Sequence, residues 1–467
     1  MSIPQRLRKV MMVAALAVTA VAAVGAGTTQ PEVVEAQTGP GAGGEYHALT
    51  PARIFDTRPP GINDVAPLGK KPTSLTGYDF DVQVTGLGGV PADPSRVLAV
   101  VANVTVVQPE AAGWMAVRPS GTPMPDPPSS LVNFTAGRTV PNTAIVGVGA
   151  DGKITVRLRA TGRAHVVIDV SGWISTSSHD VRGARLVPVG PGRVLDTRRA
   201  GGSLGSEETR SLTIRGANSF QPAISSVVPN RSSVSAVMVN IVAINRQPAS
   251  RTTYVSATPT PTPAGSLPTT ANVNLAPGIA KTSMAIIPIG DDGRIHFFNF
   301  AGDMHLAIDV LGYFESNTDQ GSTGRIVPLD APFRALDTRA AVFGRVPLGN
   351  GAQEEWSFQA FADSVEQENA NGVQEFLGPQ SALIGNLTAT DLRRIFPSRP
   401  VSTYLTAYPG NVSRPLVSNV NLAEGPSVPN MSLVRYGSTT NSPNSVKVYN
   451  HAGSVHYVLD VYAVVLS

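Results

Sequence analysis

Asp151-Gly-Lys-Ile-Thr-Val-Arg-Leu-Arg159 is the stretch from which the fold can be read. Ile154, Val156 and Leu158 face one way and the charged side chains face the other, the two-residue period of a half-buried strand. Asp151-Gly152 in front of it is a hairpin turn, because that pair accepts the positive φ a tight turn needs, and Asp292-Gly293 repeats the signal further on. Upstream, Val97–Val107 is apolar on both faces and predicts a central strand covered on two sides. Working outward, strand-like runs lie near Arg53, Tyr78, Val97, Gly113, Ser130, Thr143, Lys153 and His165. Eight short strands separated by turns, with no helical pattern, indicate a β-sandwich. Long Pro-rich crossings such as 119–128 favour a jelly roll.

The same landmarks then recur. Arg53-Ile-Phe-Asp56-Thr57-Arg58 returns as Arg193-Val-Leu-Asp196-Thr197-Arg198 and as Arg334-Ala-Leu-Asp337-Thr338-Arg339. Asn103-Val-Thr, Asn240-Ile-Val and Asn386-Leu-Thr follow, then Val132-Asn133-Phe, Val273-Asn274-Leu and Val420-Asn421-Leu. Each copy closes on His165-Val-Val-Ile-Asp169-Val, His305-Leu-Ala-Ile-Asp309-Val or His456-Tyr-Val-Leu-Asp460-Val. A spacing this long makes each copy a whole domain, not a solenoid repeat of roughly 20–50 residues. The expectation is all-β: three tandem β-sandwich, jelly-roll-like domains at 46–175, 185–315 and 325–467. They follow a signal peptide and leader (1–36) and a linker (37–45), and are joined by linkers at 176–184 and 316–324. If flexible, each inter-domain linker spans roughly 17 Å. The third copy is the longest, with extra loop around 366–380 and 391–400.

Composition narrows the class. Gly (45) and Pro (39) are abundant and only 15% of the 467 residues are charged, which argues against long exposed helices, coiled coils and charged tails. With no cysteine, disulfides, thiolate metal sites and cysteine nucleophiles are excluded. Arg6, Arg8 and Lys9 precede an uncharged apolar run to Gly25, with small residues before Ala26 and again before Ala36, which reads as a cleaved secretory signal. Those three cations equal the whole formal charge of +3, so cleavage after Ala26 leaves a neutral chain without the footprint of a nucleic-acid binder. No later stretch reaches membrane-spanning length, and no cell-wall sorting tail follows the last strand, so the expectation is a secreted protein, held at a surface only noncovalently.

The recurrent polar residues have two readings. His165 with Asp169 and their counterparts suggest a hydrolase, but four residues along a strand separate α-carbons by about 13 Å, too far for a dyad. Gly201-Gly-Ser203-Leu-Gly205 matches a nucleophile-elbow string without its strand and helix. No metal-ligand cluster and no cofactor motif stands out. The alternative is a structural network of Asp56, Arg58, Asn103, Asp169, Asp196, Arg198, Asn240, Asp309, Asp337, Arg339, Asn386 and Asp460. In it Arg58–Asp169, Arg198–Asp309 and Arg339–Asp460 are expected as ion pairs, or else each arginine pairs within its own Asp-Thr-Arg. Trp114, Tyr254 and Tyr404 occupy matching places and are either sugar-stacking platforms or cross-strand packing; Trp173 and Tyr313 read as packing lids. Glycosylation-type triplets at Asn103, Asn133, Asn230, Asn386, Asn411 and Asn430 read as local side-chain to backbone bonding.

The strings Arg-x-Leu-Asp-Thr-Arg, Asn-Val-Thr, Val-Asn-x and Ile-Asp-Val-x-Gly-Tyr-Phe, best matched at Val194–Arg198 and Ile308–Phe314, resemble a β-rich domain found, often repeated, in secreted and surface proteins of actinobacteria and other bacteria. The resemblance covers nearly all of 46–467, brings no activity or functional residue with it, and implies an extracellular accessory or structural role. The expected function is a non-catalytic secreted or cell-surface protein with a binding, adhesive or envelope-structural role. The expected partner is a cell-envelope polysaccharide or another surface protein. The alternatives are a carbohydrate-binding array and, last, a hydrolase.

Overall fold

The structure, a computed structural model, describes residues 43–58, 69–176, 181–221, 226–245, 252–316, 321–364, 366–368, 374–376, 379–396, 398–399, 401–440 and 442–467. The signal peptide expected at 1–36 lies outside the described residues, as do 177–180 and 317–320 within the two expected linkers. No helix among the described residues is long and apolar enough to cross a membrane.

Each third of the chain supplies eight principal strands. In the first unit these are β1 Tyr46–Asp56, β2 Tyr78–Gln83, β3 Val97–Val107, β4 Gly113–Pro119, β5 Val132–Phe134, β6 Val140–Gly147, β7 Lys153–Ala160 and β8 Arg163–Ser175. The second has β9 Ala184–Asp196, β10 Glu208–Thr213, β11 Val234–Asn245, β12 Thr253–Thr258, β13 Val273–Leu275, β14 Ala280–Pro288, β15 Arg294–Asn299 and β16 Met304–Ser316. The third has β17 Ile326–Asp337, β18 Gln353–Ser357, β19 Gln380–Arg393, β20 Ser402–Pro409, β21 Val420–Ala423, β22 Val428–Arg435, β23 Ser442–Asn450 and β24 Ser454–Leu466.

Pairing is antiparallel throughout, with sheet order β1-β8-β3-β6 facing β2-β7-β4-β5, and the same order in the other two units. First strand beside last, and second beside seventh, is the jelly-roll arrangement. The turn at Gly152 adopts φ +77 and that at Gly293 φ +78, as the Asp-Gly pairs required. Besides two 3-10 turns, Pro94–Arg96 and Ala341–Phe343, the third unit's extra segment departs from the all-strand expectation with a short helix, Gln359–Ser364, followed by a hairpin of Glu366–Glu368 with Gln374–Phe376. Six residues long and without an apolar period, that helix leaves little trace in the sequence.

The inner sheet of each unit has apolar residues on both faces. On β3, Val100, Val101, Ala102 and Val104 are all fully buried. One face packs on the unit's own outer sheet. The other is covered by the neighbouring units: Met238, Met284, Ile286, Ile384, Met431 and Leu433 from units two and three join the first unit's core in one continuous cluster. The units therefore do not hang as tethered beads. Their first strands meet near their starts, where Tyr46 pairs with Ala184, Gly44 and Ile326 exchange two 2.9 Å backbone bonds, and the Leu186 amide donates to the Gly324 carbonyl at 2.9 Å. The buried Glu45 carboxylate accepts from Arg185 at 3.0 Å in the same place.

Gly172 and Gly312 stand at one position of the last strand, where the third copy has Ala463. A Cβ on Gly172 would clash with the edge of the Tyr46 ring, and one on Gly312 would meet Leu433 at 2.9 Å and Leu186 and the Val187 carbonyl at 3.0 Å. The third unit has Ile326 at the site of Tyr46 and Leu186.

Candidate functional site

The recurrent polar residues form three separate sets, repeated in each unit. The first is set by register. Arg53 lies opposite Asp169 on adjacent strands, as Arg193 does with Asp309 and Arg334 with Asp460. Each guanidinium grips its carboxylate with two nitrogens: 2.8 and 3.3 Å for Arg53–Asp169, 2.6 and 2.9 Å for Arg193–Asp309, 2.8 and 3.1 Å for Arg334–Asp460. Burial pushes the Asp309 carboxyl up, against the pull of Arg193.

This corrects the expected pairing of Arg58, Arg198 and Arg339 with those aspartates. β1 ends at Asp56, so Arg58 lies past the strand and folds back on Asp56 at 2.9 and 2.6 Å. Arg198 does the same on Asp196 (2.8 and 2.6 Å) and Arg339 on Asp337 (2.8 and 2.7 Å). The alternative of pairing inside Asp-Thr-Arg is the one that the geometry has. Burial alone would raise the Asp56 carboxyl; the hydrogen bonds from Arg58 and the charges of Arg58 and Arg53 outweigh it and hold it below the ordinary value, and the same holds at Asp196 and Asp337. The first arginine of each motif recurs in all three copies, which was the available signal for its role.

In the second set, Thr57 Oγ1 accepts from the Val166 amide at 3.0 Å and lies 3.1 Å from His165 Nδ1. Thr197–His305 and Thr338–His456 repeat this at 3.0 Å. The hydroxyl and Nδ1 thus share one hydrogen bond in each unit, and in the third the Thr338 hydroxyl also donates to the Tyr457 carbonyl at 3.3 Å. Burial moves the His165 pKa down, in keeping with the neutral form. The histidines therefore answer to threonine and the aspartates to arginine, and the pair does not act as a dyad.

The third set joins the units. Asn103 Nδ2 donates to the Ala271 carbonyl of unit two at 2.9 Å, Asn240 to Ser418 of unit three at 3.2 Å, and Asn386 to Ser130 of unit one at 2.6 Å. The contacts run one to two, two to three and three to one, so the units close into a ring with approximate three-fold symmetry. Arg53 adds a bond to the Thr269 carbonyl (3.3 Å) and Arg334 one to Pro128 (2.9 Å), along the same seams. Asp309 accepts from the Ser418 amide at 3.1 Å. The asparagines at Asn103, Asn386 and Asn430 thus bond across units, over 100 residues or more, and not locally as expected from the triplets.

A second asparagine tightens two of the three seams. Asn142 Nδ2 donates to Asn386 Oδ1 (3.0 Å) and to Leu131 (2.8 Å), while its Oδ1 accepts from the Met431 amide (3.3 Å). Asn430 does the same with Asn240 (3.2 Å), Asn419 (2.7 Å) and Met284 (2.9 Å). The third seam has Ser283 at this position. There the buried Ser283 Oγ and Asn103 Oδ1 both lack a hydrogen-bond partner.

The aromatic candidates lie elsewhere. Trp114, Tyr254 and Tyr404 are half-buried on β4, β12 and β20, on the face opposite the core residues Met115, Val255 and Leu405. The Arg159 guanidinium sits 5.8 Å from the Trp114 ring; Tyr254 stacks on Phe300 at 4.9 Å and Tyr404 on His451 at 4.6 Å. Trp173 is buried against His47, at 4.1 Å, and Tyr313 is half-buried. Ser203 lies in the irregular connection before β10, and no helix follows it before that strand. Among the described residues no group of three or more His, Asp or Glu could hold a metal ion.

No family model matches this chain, and no curated protein matches it. Among solved structures it is similar to one entitled "Life in the extremes: atomic structure of Sulfolobus Turreted Icosahedral Virus", at 10% identity over 90% of this chain and 92% of that one, with a TM-score of 0.17. A score that low carries no argument; the jelly-roll order rests on the strand pairing itself.

Proposed function

We propose that the chain is a non-catalytic secreted or cell-surface protein, a ring of three β-sandwiches with a binding, adhesive or envelope-structural role. One observation carries this reading. The residues that recur in all three copies, and would be the first candidates for chemistry, are each committed to a structural partner, and the asparagines and two of the arginines reach into the seams between units. Repetition of the motif is then explained by repetition of the seam. What differs between the units is their outer surface, where a ligand would be chosen.

The test is a glycan array and a whole-cell pull-down with the purified protein, alongside a panel of esterase, glycosidase and peptidase substrates. Saturable binding without turnover supports the proposal. Turnover lost in a His165→Ala or Asp169→Asn variant that still folds overturns it. Binding abolished by Trp114→Ala would name the outer aromatic rings as the contact and make the partner a carbohydrate.

A further inference from the structure

The distal end of the third unit carries a surface that is both apolar and basic. Two connections project there, one between β17 and β18 and one between β19 and β20. They lie at one end because β19 runs out alongside β24, Arg393 opposite Ser454, while Leu348 bridges to Val455 on the same strand. At their tips Val342 is 69%, Val346 59%, Ile395 52% and Phe396 62% exposed. Arg345, Arg393, Arg394 and Arg399 are exposed around them, and the half-exposed Arg339 guanidinium lies close enough to feel Asp391. Asp391 and Glu424 are the acids at this end, and Glu424 is paired with Arg394. Phe343, packed edge-on against Trp356 at 5.6 Å, anchors the first tip. In the first unit the matching turn, residues 108–112, has no large exposed apolar side chain.

Single exposed apolar residues are ordinary, but four gathered on two neighbouring tips and ringed by guanidiniums are not. We infer that this end of the third unit docks on an anionic lipid surface, the tips entering the headgroup layer and the arginines meeting lipid phosphates. A soluble polyanion would use the arginines and gain nothing from Val342, Val346, Ile395 and Phe396. A lipid interface takes both, through apolar insertion and attraction of basic residues. The site lies apart from the seams and from Trp114, Tyr254 and Tyr404, so it stands or falls separately from the function proposed above.

The experiment is co-sedimentation of the full chain with extruded phosphatidylcholine vesicles, with and without phosphatidylglycerol. Binding is expected only with the anionic lipid, and should weaken as salt is raised. Ile395→Ser combined with Phe396→Ser should weaken it roughly tenfold to a hundredfold. Arg393→Gln and Arg399→Gln should each weaken it about fivefold. Leu75→Ser and Leu267→Ser, at exposed sites elsewhere, should leave it unchanged; circular dichroism confirms that each variant is folded. No sedimentation with anionic vesicles overturns the inference. So does binding that survives the Ile395/Phe396 change, or equally tight binding to dextran sulfate that ignores it, which would make the surface a polyanion site.

Discussion

The seam between units one and two should be repairable with one substitution, Ser283→Asn. In the other seams the asparagine at this position makes three hydrogen bonds, two donated and one accepted. Here Ser283 makes none with its hydroxyl, and Asn103 Oδ1 is left buried and unmet. An asparagine would donate to Asn103 Oδ1 and to the Asn272 carbonyl, the counterparts of Asn386 Oδ1 and Leu131, and would accept from the Thr143 amide. Each buried bond contributes roughly 0.5–1.5 kcal/mol net, and ordering the longer side chain costs about 1 kcal/mol, so the expected gain is about 1–3 kcal/mol. For a molecule of this size that is an upward Tm shift of a few degrees. The reverse changes, Asn142→Ser and Asn430→Ser, remove bonds and strand buried partners, and should each cost about 2–4 kcal/mol. Thermal unfolding of the four proteins in parallel reads all of this, and limited proteolysis shows whether the seam itself tightens. A Tm for Ser283→Asn at or below that of the parent would refute the reasoning, since it would mean that the slot closes around serine and that the asparagine is overpacked.

Removing one partner of the buried pair should be severe. Arg193→Ala leaves Asp309 charged and enclosed, at a cost of about 3–5 kcal/mol, whereas Arg198→Ala, at a half-exposed pair, should cost about 1 kcal/mol; urea denaturation separates the two. In Arg193→Ala the Asp309 carboxyl, already raised by burial, rises further, so that variant should recover stability as pH falls and lose it as pH rises through the new value. In the parent, Asp56, Asp196 and Asp337 have lowered pKa values, so their own contribution is complete above about pH 4 and disappears as acid protonates them in the fold, opposite in sign to that of the raised Asp169, Asp309 and Asp460; an Asp56→Asn variant should therefore lose less Tm than the parent between about pH 4 and lower pH. Gly172→Ala, which must displace the Tyr46 ring, should cost about 1–3 kcal/mol by thermal unfolding, and Gly312→Ala less, because the Leu433 and Leu186 side-chain ends can turn aside and the Val187 carbonyl needs only a small shift.

The local half of this molecule was readable. The two-residue period of 153–159, the positive-φ turn at Gly152 and the doubly apolar Val97–Val107 led to an eight-stranded sandwich, and the strands lie where those signals put them. The sequence also marked the residues that matter, since Arg53, Asp56, Asn103, His165 and Asp169 all recur. Their partners were harder to read. Whether Asp169 meets Arg53 or Arg58 depends on strand register and on where β1 stops, a matter of one or two residues. The second cover of β3 comes from other copies of the same fold, and a repeat comparison aligns copies without saying that they touch. Asn142 and Asn386, 244 positions apart, meet only because the ring closes. The departure from the repeat at Ser283 was in plain view, yet it acquires meaning only beside Asn103, its neighbour in space.

Closing the ring within one chain has a kinetic consequence. Three separate sandwiches with these seams would form a complex that dilution takes apart. Here the partners arrive already joined at millimolar effective concentration or above, so assembly is a step of folding and its extent does not depend on how much protein is present. A seam as imperfect as that between Ser283 and Asn103 can then persist, held shut by the two that are sound.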